Sequence, residues 1–137
     1  MIVVDTGPLV ALFDPADDSH AKCVRILRDI DEPLWTTLPV LTEAFHILTP
    51  DSHGAQRLMD FVADSGVAAW FANEDAIVRA FELMRRYANV PMDFADASLV
   101  VAAETLGTRK IFTIDRKDFP VYHLRRGHRR FAFEMLA

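Results

Sequence analysis

The chain has 137 residues, a formal net charge of -5 and one cysteine, a length that suits one domain able to bury roughly two-thirds of its unfolded surface without disulfides. The start Met1-Ile2-Val3-Val4-Asp5 has no basic region, and no apolar run approaches the ~18 residues of a membrane span, so a soluble, untargeted, cytoplasmic protein is expected. Charge is unevenly spread: residues 1–108 carry 7 Lys/Arg and 17 Asp/Glu, residues 109–137 carry 8 and 3, so an acidic body ends in a basic segment.

Ile2-Val3-Val4 is a continuous branched apolar run of the kind found in buried parallel strands. Asp5 follows it and precedes Thr6-Gly7-Pro8, where glycine permits a tight turn and proline suits a first helical turn. Asp5 is therefore either the cap of the next helix or a ligand at a strand end. Ser19 or Asp18 can cap a helix in which Cys23, Ile26, Leu27 and Ile30 follow helical spacing, with Cys23 a core thiol. Leu34 to Leu38 reads as a second strand. In Pro39-Val40-Leu41-Thr42-Glu43-Ala44-Phe45 the apolar positions 40, 41, 44, 45 and 48 define a buried helical face with Glu43 at its margin.

Leu58, Phe61 and Val62 suggest a helix between Ser52 and Asp64, stopped by Gly66. Val67 to Phe71 reads as a third strand, and Asn73 caps a helix through Ile77, Ala80, Phe81 and Met84. Residues 94–106 are apolar nearly all round, so that helix is expected to be buried, with Gly107 after it. Asp93 and Asp96 share one face of its start, and an Asp96 followed by an unbroken apolar run needs a partner or a metal. Ile111 to Ile114 reads as a fourth strand, with Thr113 and Asp115 at alternate positions on one face; Phe131-Ala132-Phe133 is a weaker fifth. Strands alternating with helices predict an α/β fold with a mainly parallel sheet covered on both faces.

Asp5, Glu43, Asp96 and Asp115 thus border apolar segments where unpaired carboxylates would be desolvated. A bound Mg²⁺ or Mn²⁺ removes that cost, and an all-oxygen set suits such hard cations better than zinc. Five histidines form no close zinc-spaced pair beyond the loose His123 and His128. In open parallel sheets ligands gather beyond the carboxyl ends of the strands at the topological switch point, where Asp5 and Asp115 fall.

Taken in order, Val3-Val4-Asp5-Thr6-Gly7-Pro8-Leu9, the Glu43 helix, Asp93-Phe94-Ala95-Asp96-Ala97-Ser98-Leu99 running on to Gly107, and Phe112-Thr113-Ile114-Asp115 before Asp118-Phe119 resemble the PIN-domain family of metal-dependent ribonucleases, in particular its VapC-type toxins. The resemblance covers nearly the whole chain. It implies one three-layer α/β/α PIN-like domain over residues 1–137, acting as an endoribonuclease on RNA phosphodiester bonds with Mg²⁺ or Mn²⁺. It makes Asp5, Glu43, Asp96 and Asp115 the catalytic acids. Asp93 joins Asp5, Asp96 and Asp115 near the metal, and Thr6 and Thr113 support them. It also implies a cognate antitoxin and allows a homodimer.

The segment Tyr122 to Arg130 matches no catalytic motif; Arg125, Arg126, Arg129 and Arg130 could bind RNA phosphates or an acidic partner, or keep an edge solvated. A haloacid-dehalogenase-like phosphatase wants a second Asp two residues after the first, where Gly7 stands. A receiver domain wants paired acids after its first strand and a lysine after a late one, whereas Lys110 precedes its strand. A non-toxin RNA-processing nuclease and an inactive PIN-like binding module remain the closer alternatives.

Overall fold

The computed structural model describes residues 1–137. Its centre is a five-stranded sheet built from β1 (Ile2–Val4), β2 (Leu34–Thr37), β3 (Ala68–Trp70), β4 (Lys110–Phe112) and, last in the chain, β7 (Glu134–Leu136). The order across the sheet is β3-β2-β1-β4-β7, every pair parallel. Helices α1 (Thr6–Phe13), α2 (His20–Asp29), α3 (Leu38–Leu48), α4 (His53–Ala63), α5 (Glu74–Arg86) and α6 (Phe94–Leu106) cover it on both sides. Strands β5 (His123–Arg126) and β6 (Arg129–Ala132) form a separate antiparallel hairpin. None of the helices is long and apolar enough to cross a membrane.

The β1 side chains are wholly buried, as the unbroken apolar run requires of a strand covered on both faces. Its neighbours β2 and β4 lie on opposite sides, so the chain leaves β1 one way and returns on the other. That reversal is the switch point, and the carboxyl ends of β1 and β4 border it. Core packing extends through α6, whose Ala97, Leu99, Val100 and Ala102 are fully buried.

Local signals act largely as the residues predict. Ser52, Asn73 and Asp93 each cap their helix through a side-chain oxygen that accepts from a backbone N–H, leaving fewer unpartnered donors in the first turn. Ser19 is the N-cap of α2 but makes no side-chain cap bond. Three expectations need correction. The residue in left-handed conformation after α4 is Ser65, at φ 66°. Gly66 is needed for room instead, because a Cβ there would lie 2.3 Å from the Phe61 ring. The fifth strand of the sheet is Glu134–Leu136, while Phe131 and Ala132 belong to the hairpin and Phe133 links the two. Finally, β4 ends at Phe112, so Thr113 and Asp115 lie in the loop beyond it.

Candidate functional site

Asp5 leaves β1 in extended conformation, with its backbone N–H donating to the Phe112 carbonyl of β4 at 2.9 Å. Its side chain is buried and has two jobs. Oδ1 accepts from the Thr6 N–H at 2.8 Å, capping α1, and Oδ2 accepts from Thr113 Oγ1 at 2.8 Å. Of the roles that local sequence leaves open, the cap is therefore made, and the same side chain also lines the cavity described next. Thr113 Oγ1 in turn accepts from the Asp115 N–H at 3.0 Å, so one buried hydroxyl ties the loop after β4 to the end of β1. Gly7 completes this corner, since a Cβ there would come within 2.6 Å of the Ile114 side chain.

These residues open onto a cavity of about 380 Å³. Asp5, Glu43, Asp93, Asp96 and Asp115 all line it, together with Thr6 and two acids not singled out from sequence, Asp17 and Asp118. Seven carboxylates therefore share one space that no Lys, Arg or His borders. None of the seven joins an ion pair. Glu43 and Asp93 also border a wide hollow lined by Leu38, Pro39, His46 and Phe94.

Crowding without counter-charge shifts two of the acids. Burial pushes Asp5 up to about 6 against the hydrogen bonds from Thr113 and Thr6, with Asp115 and Glu43 adding repulsion. Burial likewise pushes Asp96 up to about 7, followed by repulsion from Asp93 and Asp5. Asp96 Oδ2 accepts a hydrogen bond from the buried Tyr122 hydroxyl at 3.0 Å, which partly offsets those effects. Burial and the facing Asp96 carboxylate raise the Tyr122 phenol well above its ordinary range, so it serves only as a donor. Asp115 Oδ1 accepts from the Lys117 and Asp118 N–H groups, forming the turn that carries Asp118 to the cavity.

The donor set fits a hard divalent cation. It is all oxygen, strongly anionic and includes Thr6 Oγ1, the one buried side-chain polar atom without a hydrogen-bond partner. No three of the acids converge into a ready cage. Mg²⁺ keeps several waters and takes one or two carboxylates directly, so it does not require such a cage.

Two second-line contacts give direct tests. Thr113→Val keeps volume but strips Asp5 Oδ2 of its donor and Asp115 N–H of its acceptor; chemical denaturation should show a loss of about 2 kcal/mol. Tyr122→Phe preserves packing against Phe119 and Tyr87 while removing the one side-chain donor to Asp96. The Asp96 carboxyl should then titrate at still higher pH in the metal-free protein, by a few tenths of a unit or more in a ¹³C NMR titration.

Sequence reasoning missed Tyr122 because it lies within a segment otherwise read for charge. Asp118 carried a usable signal, three residues after Asp115. Asp17 carried none, since its place depends on how the loop after α1 returns.

A family model described as the PIN domain matches residues 2–123. The chain is 28% identical over 121 residues to Ribonuclease VapC26 of Mycobacterium tuberculosis, across 86% of this chain and 89% of that protein. Among solved structures it is similar to M. tuberculosis VapC20, described as a sarcin-ricin loop cleaving toxin, with TM-score 0.74 and 21% identity over 81% of this chain and 87% of that one. It is also similar to a chain of a toxin-antitoxin complex from Klebsiella pneumoniae, with TM-score 0.66 and 21% identity over 87% and 90% of the two chains.

Proposed function

This chain belongs to the PIN domain family, and we propose that it is a Mg²⁺- or Mn²⁺-dependent endoribonuclease, the toxin of a type II toxin–antitoxin pair. The observation that carries this reading is the cavity at the switch point, lined by seven carboxylates and no cation. The relative named as a ribonuclease, the neighbour described as a toxin and the neighbour from a toxin-antitoxin complex support it. A single domain spans the chain, acting in the cytoplasm, with a cognate antitoxin as partner and a homodimer as a possible assembly.

In this reading Asp5, Asp93, Asp96 and Asp115 would hold the cation, one or two of them directly and the others through its waters. A bound divalent ion supplies an activated water and neutralises charge on the phosphate and the leaving oxygen. Hydrolysis forms one P–O bond from water and breaks one ester P–O bond, so the proton that water releases needs an acceptor. Glu43 lines the cavity from α3 with no hydrogen-bond or ion-pair partner of its own, which leaves its carboxylate free to accept that proton. Thr113 and Tyr122 orient Asp5 and Asp96, and Thr6 Oγ1 is available to a water beside them.

The test is cleavage of structured RNAs and single-stranded oligonucleotides in Mg²⁺, Mn²⁺ or EDTA, beside Asp5→Asn and Asp96→Asn. Cutting that needs metal and vanishes in both variants is expected. A wild type that cuts no RNA, or cuts equally in EDTA, would refute the reading. Co-expression with a cognate antitoxin should suppress the cutting.

A further inference from the structure

The acid cavity has no cation with which to attract an RNA strand, and the body around it is strongly acidic. If the chain is a ribonuclease, a premise the cleft described below shares with the proposed function, the affinity for a polyanion must come from elsewhere on the surface. One cleft has the required chemistry. It lies between the C-terminal half of α5 and one face of the β5–β6 hairpin, encloses about 100 Å³, and is lined by Arg79, Arg86, His123, Arg125 and Arg130 around Tyr87. No carboxylate borders it.

The strand geometry explains the grouping. Alternation places His123 and Arg125 on one hairpin face, and the register sets Arg125 directly opposite Arg130. Arg126 and Arg129 are likewise opposite each other but face the other way. On that side the Arg126 guanidinium donates to the Gly107 carbonyl and lies 5.9 Å from the Phe131 ring centroid. The four arginines of the segment are therefore two pairs with different surroundings. Like charges directly opposite across an antiparallel pair destabilise it. Arg79 is neutralised by Glu104 and Glu82, whereas Arg86, Arg125 and Arg130 are exposed and make no ion pair.

The geometry points to this cleft as an RNA-backbone site, in which Arg86, Arg125 and Arg130 hold a phosphate of the substrate outside the acid cavity. A phosphate between Arg125 and Arg130 relieves their repulsion and meets guanidinium groups suited to paired hydrogen bonds. A chain of contacts joins the cleft to the acids. The His123 N–H donates to the Tyr87 hydroxyl at 3.1 Å, Tyr87 packs edge-on against Tyr122 with ring centroids 5.2 Å apart, and Tyr122 bonds Asp96. A strand anchored at the cleft is thus held by residues that contact the partner of Asp96.

The experiment is fluorescence anisotropy with a labelled RNA hairpin, on the full chain carrying Asp96→Asn and in Mg²⁺ so that the RNA stays intact. Replacing Arg86, Arg125 and Arg130 together by Gln should weaken binding about 10- to 100-fold near 0.1 M monovalent salt and make log Kd about 1 less steep in log salt. The same three positions replaced by Lys should retain most of the affinity. Relief of repulsion should leave the melting temperature of the Gln triple unchanged or slightly raised, which separates lost binding from lost fold. Unchanged affinity and salt slope in the Gln triple, with RNA still bound and still cut by the unmodified chain, would overturn the cleft alone. An RNA neither bound nor cut would overturn the ribonuclease reading and the cleft with it. Polyglutamate that binds tightly and loses affinity in the Gln triple, while RNA affinity holds, would reassign the surface to an acidic protein and also overturn the proposal.

Discussion

Asp96→Asn is expected to reduce RNA cleavage on the order of 10³-fold or more, because it removes a charge from the acids proposed to hold the cation while nearly preserving shape. The same change should make the metal-free protein more stable at pH 8. Asp96 lies in the first turn of α6, where the helix dipole favours a carboxylate by about 0.3–1 kcal/mol. Burial and the neighbouring Asp93 and Asp5 act the other way, and they win, since the carboxyl is pushed up to about 7. After discounting for partial exposure, neutralising it should contribute about 2 kcal/mol at pH 8, a rise of roughly 5 °C in melting temperature. An Asn Oδ1 can still accept from the Tyr122 hydroxyl, so packing gives no reason for a loss. A calorimetric scan in EDTA that shows Asp96→Asn destabilised at pH 8 would mean that the carboxylate has a structural partner instead.

The second large effect is the pH and metal dependence of folding. Asp5 and Asp96 titrate at about 6 and about 7 in the folded chain, against about 3.9 in an unfolded one. Their folded values are raised, so the native state holds protons that the unfolded state has released. Stability from these two groups is fully present below about pH 3.9 and is lost as pH rises through 6 and then 7. In EDTA the wild type should therefore lose on the order of 4 kcal/mol between pH 4 and pH 8 relative to an Asp5→Asn, Asp96→Asn double variant. Comparison with that variant cancels the opposite contribution of ordinary exposed carboxylates. Adding Mg²⁺ or Mn²⁺ at a hundred times its Kd should restore about 2.7 kcal/mol at pH 8, and should not stabilise the double variant. Equal pH slopes for the two proteins in EDTA would show that the two acids are not strained in solution.

How much of the fold and the site is legible in the chain depends on how locally each feature is determined. Ile2-Val3-Val4, the Asn73 cap and the all-apolar run after Asp96 depend on neighbours a few residues away, and they fold as their patterns predict. The gathering of Asp5, Glu43, Asp93, Asp96 and Asp115 was legible because strand ends in a parallel sheet share one edge, so chain order restricts where they can lie. Tyr122 was not, since its hydroxyl finds Asp96 through the long return after β4, which no periodicity reports. The terminal strand was misplaced by a few residues for a related reason. Phe131-Ala132-Phe133 has the stronger β signal, but the hairpin uses Phe131 and Ala132, and Glu134-Met135-Leu136 pairs with β4 instead. Pairing partners decide such cases, and intrinsic preference does not. The arginines show the same limit: as a string they are one basic cluster, and only the register separates Arg125 and Arg130 from Arg126 and Arg129.

The bond between Thr113 and Asp5 spans 108 positions of sequence, and that interval has a meaning in time. During synthesis Asp5 emerges 108 residues ahead of Thr113, and β1 stays open along one side until β4 follows it. Long-range parallel pairing is slow to form and cannot precede its partner. Until β4 and Thr113 have been made, the growing chain lacks the corner that orients Asp5. Asp5, Glu43, Asp93 and Asp96 are thus all made before β4, the strand that closes the corner beside them.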